Sequence, residues 1–414
     1  MGQQEGARLY DRAEYDRRAA SVSLRAWNSA VLPSIRQAVS DGVSLRITAA
    51  ARRARANARL YEIRVPGGAE LTTEALFDDR LFKVHKDHLS RRAVRDQIRR
   101  LDAEKQPIRI ALPLFSRKPV CPLKNRGYLP DLAEIASLAR CYEVASLLSW
   151  FHPHGVVFRV FADGHKYRRA CLTPPSLVDE YQSALRYWSD RLGIAHLVTV
   201  LDYESAARGV LGDEGTRRRE QQYQETLAAL RGSLDDLFDP ADVSGSLRRL
   251  DQGSFLAQQA KFTFQSILTS TCYRTEGMAE RLVANDEAAQ ALYVEYIRDL
   301  QDGLEGSRGW PALRREIGSE MRREAWDAAL RYLAISLTDR ALDIWSLLNH
   351  EGLKLTIHGK PGEFHFRSTS SDLLCMTAQH CTGGIERDAR GSKVSFAYRI
   401  RAREPGGTPL APLR

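Results

Sequence analysis

Hydrophobic and polar positions alternate with two different periods along this chain. Ile108-Arg109-Ile110-Ala111-Leu112 is short, β-branched and apolar, which predicts a strand over 107–113. Pro130-Asp131-Leu132-Ala133-Glu134 then opens a helix. Asp131 suits an N-cap, and Glu134 three residues later completes a capping box. Leu132, Ile135, Leu138, Ala139, Tyr142 and Ala145 follow at helical spacing, and Pro153 and Gly155 stop the run. Val156 to Phe161 reads as a second strand, with Asp163-Gly164 turning off its end. Further strands are predicted over 195–201, ending at Asp202, and over 353–358 and 394–402. Helical spacing is expected over most of 1–60, in an amphipathic stretch over 71–104, and over about 176–192. Residues 205–220 read as a charged loop or ragged helix. From 221 to 350 the pattern is nearly all helical, with breaks at Asp239-Pro240, Gly253 and Gly306 to Pro311. Its last run, 319–349, carries Met321, Ala325, Ala328, Tyr332 and Ile335 as a core helix.

The expected fold class is therefore α/β, a Rossmann-like sheet flanked by helices. A basic helical extension over 1–104 precedes an α/β domain over 105–403, in which 221–350 is largely helical and lies before the C-terminal strands. A Pro/Gly-rich tail covers 404–414. In an open α/β sheet, ligands bind where loops leave the carboxyl ends of strands. That directs attention to the loop after 107–113 and to Asp163.

Composition narrows the function classes. At 43% hydrophobic and 27% charged residues, the chain of 414 residues is ordinary for a globular protein. The longest apolar runs fall far short of a membrane span, and no charged-then-apolar leader opens the sequence. Six cysteines, at 121, 141, 171, 272, 375 and 381, form no Cys-x-x-Cys pair, and we read them as reduced thiols of a cytoplasmic protein. The net charge of +9 fits either nucleic acid or a phosphorylated substrate. Arg46, Arg52, Arg53, Arg55 and Arg59 have no acid among them, but no aromatic interleaving supports nucleic acid, and a solvated helix face is the preferred reading. No phosphate-cradling glycine loop, nucleophile elbow or kinase set is present.

Several residues could carry chemistry. Arg117, Lys118, Lys124 and Arg126 lie within ten positions on a loop stiffened by Pro119 and Pro122. Cations converging on one point could bind a phosphate; a solvated basic loop is the plain alternative. Asp163 is either a turn former or a functional carboxylate, as a base or an amine anchor. His358, at a strand end, and His380, in a polar loop, could each move protons near neutral pH or simply hydrogen-bond. Arg274 is a candidate carboxylate anchor. His152, His154 and His165 invite a metal reading, but His-Pro-His cannot easily aim both rings at one ion, so no metal site is expected.

The motif spacing resembles that of the isocyanide synthase family, also called the pyoverdine/dityrosine biosynthesis family. Pro113, Phe115, Lys118, Lys124, Gly127, Pro130, Asp131 and Glu134 fall in step with its first block, and Gly155, Asp163 and Gly164 continue it. Leu353 to His358 is similar to a family strand ending in His, and Met376 to His380 to a second His segment. Ser116 stands where the family usually has Pro, Cys121 where Asn is expected, and Ala378-Gln379 replace a Pro-Trp pair.

The resemblance implies an enzyme that joins an amino acid's α-amine to the ketone carbon of ribulose 5-phosphate. Fragmentation then leaves that carbon as an isocyanide, with no metal or redox cofactor. It implies catalytic roles for Asp163, His358 and His380 and phosphate binding by Lys118 and Lys124, with Arg117 and Arg126 beside them. A downstream iron/2-oxoglutarate oxygenase or peptide synthetase would use the product. Two alternatives stay open: altered chemistry such as amine N-formylation, which the Ala378-Gln379 departure allows, and a non-catalytic basic scaffold or nucleic-acid-binding protein.

Overall fold

A computed structural model of the chain describes residues 32–60, 67–78, 81–84, 89–116, 129–168, 170, 175–271, 319–357, 364–366, 382–387 and 394–399. Its centre is a six-stranded sheet built from β1 (Phe82–Val84), β2 (Ile108–Pro113), β3 (Val156–Ala162), β4 (Val198–Asp202), β5 (Leu353–Thr356) and β6 (Phe364–Phe366). The strand order is β1-β6-β5-β2-β3-β4. Five strands are parallel, and β1 caps β6 antiparallel. The strands expected at 107–113, 156–161, 195–201 and 353–358 share this sheet, with differences at their ends: residues 195–197 form a turn, and β5 stops at Thr356. A separate hairpin pairs β7 (Thr382–Arg387) with β8 (Val394–Arg399).

Helix α4 (Leu132–Ser149) connects β2 to β3, and its start follows the sequence. The Asp131 side chain accepts from the Ala133 N–H at 2.8 Å, while the Asp131 N–H donates to Glu134 Oε2 at 2.9 Å. Gly155 turns the chain into β3 at φ +79°, a conformation a Cβ would strain. Helix α6 (Pro175–Arg191) connects β3 to β4. Both crossovers pack on the sheet face formed by Ile108, Ile110, Leu112, Phe158, Val160, Val198 and Leu355, all fully or nearly fully buried. Each such Val, Leu or Ile contributes about 1.5–3 kcal/mol.

The expected helix over 71–104 is interrupted. Helix α2 (Gly68–Leu76) and helix α3 (Arg91–Ala103) flank β1, because the apolar Phe82 pairs with Phe366 and meets Phe364 edge-to-face. Helix α1 (Leu32–Leu60) sends Ala50, Ala51 and Ala54 into the same core as the sheet. On its basic face Arg53 pairs with Asp78 at 2.6 Å; Arg91 pairs with Glu74 at 2.6 Å and Arg99 with Glu70 at 2.5 Å in the α2–α3 pair.

After β4 the chain runs through α7 (Tyr203–Leu234), a 3-10 turn at Asp235–Leu237, α8 (Val243–Asp251), α9 (Phe255–Thr271), α10 (Ser319–Ala341) and α11 (Ile344–Leu348). The charged stretch 205–220 is thus helical, kinked at Gly212 with φ +63°. Helices α7 to α10 build a second core, where Phe238 stacks on Trp326 with centroids 4.5 Å apart. The expected breaks at Asp239-Pro240 and Gly253 are present; the one at 306–311 lies outside the described residues.

Candidate functional site

The parallel strands all end on one edge, and the site is built there. Pro113 of β2 pairs with Phe161 of β3, and Ala162 pairs with Asp202 at the end of β4. Beyond β2 the chain passes through Phe115, a fully buried aromatic at φ +66°. Bulky residues rarely adopt that left-handed conformation, and such strain concentrates at functional sites. It brings Ser116 against the turn after β3, where the Ser116 hydroxyl donates to Asp163 Oδ1. The next residue, Gly164, has no room for a side chain: a Cβ there would sit 2.0 Å from the Ser116 carbonyl oxygen and 2.6 Å from Val178 Cγ1. Gly164→Ala is expected to lower stability by about 1–3 kcal/mol, because backbone must move to admit the methyl group. Chemical denaturation measures this, and an unchanged midpoint would mean that the two turns do not meet.

Asp163 is half-buried. Burial pushes its carboxyl above the usual carboxylate range, against the Ser116 hydrogen bond and the nearby Lys166 charge. Helix α5 (Gly164–Tyr167) follows at once and carries Lys166 into a buried charge network. Asp339 of α10 is its hub. Asp339 Oδ2 accepts from Lys166 Nζ at 2.7 Å and from the Tyr203 hydroxyl at 2.6 Å, while Oδ1 accepts from Arg219 Nε at 2.8 Å. Arg219 also donates through Nη1 to both Glu204 oxygens, at 2.9 and 3.0 Å. The Lys166 ammonium lies 4.4 Å from the Tyr203 ring centre and 4.9 Å from that of Tyr167. Tyr167 in turn stacks on Tyr332, with ring centroids 4.1 Å apart.

This arrangement fixes the protonation states. Burial alone would lower the lysine's pKa, but Tyr203, Asp339 and Asp163 outweigh it and hold Lys166 above its ordinary value. Burial would likewise raise Asp339, yet Lys166 and Arg219 keep it below the usual carboxylate range. Burial, with Asp339 beside it, keeps the Tyr203 hydroxyl protonated. A lysine held cationic in this way is a fixed positive charge, not a nucleophile, at neutral pH.

The network forms one wall of a cleft of about 570 Å³, a size suited to small metabolites. Arg168, Arg186, Arg208, Asp202 and Thr338 also line it. The Thr338 hydroxyl is buried and, among the described residues, has no hydrogen-bond partner. Asp202 is committed to structure: it caps α7 through the Ser205 N–H at 2.7 Å and accepts from Gln182 at 2.9 Å. Asp163 adjoins Lys166 but is not among the residues that line this cleft.

Of the residues expected from sequence, the structure describes Asp163 alone. Arg117, Lys118, Lys124, Arg126, Arg274, His358 and His380 lie outside the described residues, as do Cys121 and Ala378-Gln379. The strands that precede the first four and His358, β2 and β5, are parallel neighbours ending on the Asp163 edge. The three histidines of the metal reading have separate partners, although the His152 and His154 rings meet edge-to-face with centroids 5.6 Å apart. His152 Nε2 meets the Gln106 carbonyl at 2.8 Å, His154 faces Asp102 at 3.6 Å, and His165 pairs with Asp179 at 2.9 Å. Among the described residues no cluster of three metal-ligating side chains occurs. Sequence reasoning missed Lys166, Tyr203, Glu204, Arg219 and Asp339. One signal was present: Asp339 lies seven residues after Tyr332 and four after Ile335, on the apolar stripe of a core helix.

The model of the pyoverdine/dityrosine biosynthesis protein family matches residues 98–343, more than half of the chain. The chain belongs to this family. The matched range of the pyoverdine/dityrosine family contains β2 to β4, Asp163 and the whole Lys166–Asp339 network, and it ends before β5. The crystal structure of the PvcA protein from Pseudomonas aeruginosa is similar at 17% identity and a TM-score of 0.49, covering 80% of this chain and 92% of that one. No curated protein matches the chain. Among the described residues, no helix is long and apolar enough to cross a membrane.

Proposed function

We propose that this member of the pyoverdine/dityrosine biosynthesis family is an isocyanide synthase-like enzyme of secondary metabolism. It converts the α-amine of an amino acid to an isonitrile, with ribulose 5-phosphate as carbon donor. The observation that carries this reading is Asp163: a half-buried carboxyl with raised pKa, beside the fixed charge of Lys166, on the ligand edge of the sheet. Joining an amine to a ketone and then breaking a carbon–carbon bond requires a group that takes up and returns protons. A partly buried strand-end carboxyl held above the ordinary carboxylate range suits that work. Lys118 and Lys124, with Arg117 and Arg126, would hold the sugar phosphate. Arg274 would anchor the amino-acid carboxylate, and His358 and His380 would share the proton transfers. The reading needs no cofactor and places the enzyme in the cytoplasm, upstream of an oxygenase or peptide synthetase.

The Ala378-Gln379 departure keeps amine N-formylation as the second reading, and a further departure, Ser116 where Pro is usual in the family, touches Asp163 itself. One experiment separates the two. The protein is incubated with ribulose 5-phosphate and pooled amino acids, and the products are analysed by mass spectrometry. An amino acid that gains one carbon and loses two hydrogens is the expected isonitrile. One that gains carbon and oxygen as a formyl group selects the second reading. Unchanged amino acids and sugar phosphate would overturn both.

A further inference from the structure

We propose that Ser116 is a positioning residue, whose hydroxyl holds the Asp163 carboxyl in the orientation from which that group exchanges protons with substrate. This rests on the proton-transfer role given to Asp163 above. Three independent features lock the contact. The Leu114 N–H donates to the Phe161 carbonyl at 3.1 Å, extending the β2–β3 pairing up to the turn. Phe115 holds a strained backbone at φ +66° while fully buried, which aims the next residue inward. Gly164 lets the Ser116 carbonyl approach to a place a side chain would fill.

The groups facing Asp163 leave the task to Ser116. Tyr181 on α6 donates its hydroxyl to Glu134 at 3.1 Å, and the Tyr167 hydroxyl is paired with Ser336 at 2.9 Å. Asp202 can only repel it, and Lys166 bonds Asp339 rather than Asp163. Among the described residues, Ser116 is the side chain that hydrogen-bonds the Asp163 carboxyl. Oδ1 of the carboxyl is thereby tied in place. Proline, the usual family residue at this position, has no side-chain donor.

The test uses the full chain labelled with carbon-13 at aspartate Cγ. The Asp163 resonance is assigned by its loss in Asp163→Asn. It is then titrated in wild type, Ser116→Ala and Ser116→Thr, alongside the pH profile of kcat. Loss of a hydrogen bond that favours the ionised form raises a carboxyl pKa, so Ser116→Ala should move the resonance up by about one to two pH units. The acid limb of the profile should move with it, and kcat should fall about tenfold with KM in place. Ser116→Thr, which keeps the hydroxyl, should restore both. A resonance that titrates alike in wild type and Ser116→Ala overturns the proposal. A resonance that moves in a protein making no carbon–nitrogen product upholds it and removes the functional reading instead.

Discussion

Asp339→Ala is expected to cost about 3–5 kcal/mol of folding stability, because it leaves two cations buried without their shared partner. Lys166 and Arg219 both bond Asp339, and the Lys166 and Asp339 side chains are only 5% and 2% exposed. Their attraction is therefore little screened by water. Lys166→Met combined with Asp339→Leu should cost less than Asp339→Ala alone, since the apolar pair removes the desolvation penalty as well as the attraction. The pH dependence has a definite sign. Asp339 is held below the ordinary carboxylate range, so its stabilisation is full above about pH 4, near the unfolded value, and is lost as pH falls through the folded one. Denaturant unfolding at neutral and strongly acid pH measures both effects. A gap between wild type and variant that is equally wide in acid would show that the ion pairs are not its source.

Asp163→Asn is expected to lower kcat about 10²- to 10⁴-fold in the conversion of amino acid to isonitrile, the range for loss of a general acid–base group. The amide is nearly isosteric and still accepts from Ser116, so thermal unfolding should change little. Steady-state kinetics with ribulose 5-phosphate varied at saturating amino acid is the measurement. A variant that turns over at the wild-type rate would reduce Asp163 to a turn former.

The parts of this fold that follow local rules were legible in the sequence. Asp131 and Glu134 announced the start of α4, and the β-branched runs at 108–112 and 156–161 became the adjacent parallel strands β2 and β3. The interruption of 71–104 by β1 was not legible, because Phe82-Lys83-Val84 becomes a strand only through its partner Phe364–Phe366, far along the chain. The site divides in the same way. Asp163 was found because a strand-end carboxyl before glycine is a local pattern. Its charged neighbours were not, because Lys166, Tyr203, Arg219 and Asp339 come from α5, α7 and α10, and their meeting depends on tertiary packing. Nor does any local signal bring Ser116 to Asp163. That contact depends on the buried, left-handed backbone of Phe115, an aromatic residue whose own preference is otherwise.

The neighbours of β2 have a consequence for synthesis of the protein. Its partner on one side, β3, begins at Val156, but its partner on the other, β5, begins only at Leu353. The ribosome must therefore translate all of α7 to α10 before β5 exists. At about 5–20 residues per second, the interval between emergence of β2 and of β5 is on the order of 10–50 seconds. During that time one flank of the central strand, with Ile110 and Leu112 on its buried face, has unpaired backbone groups. The nascent chain thus passes through a state with an open apolar sheet edge, which a chaperone must shield or a competing strand can capture.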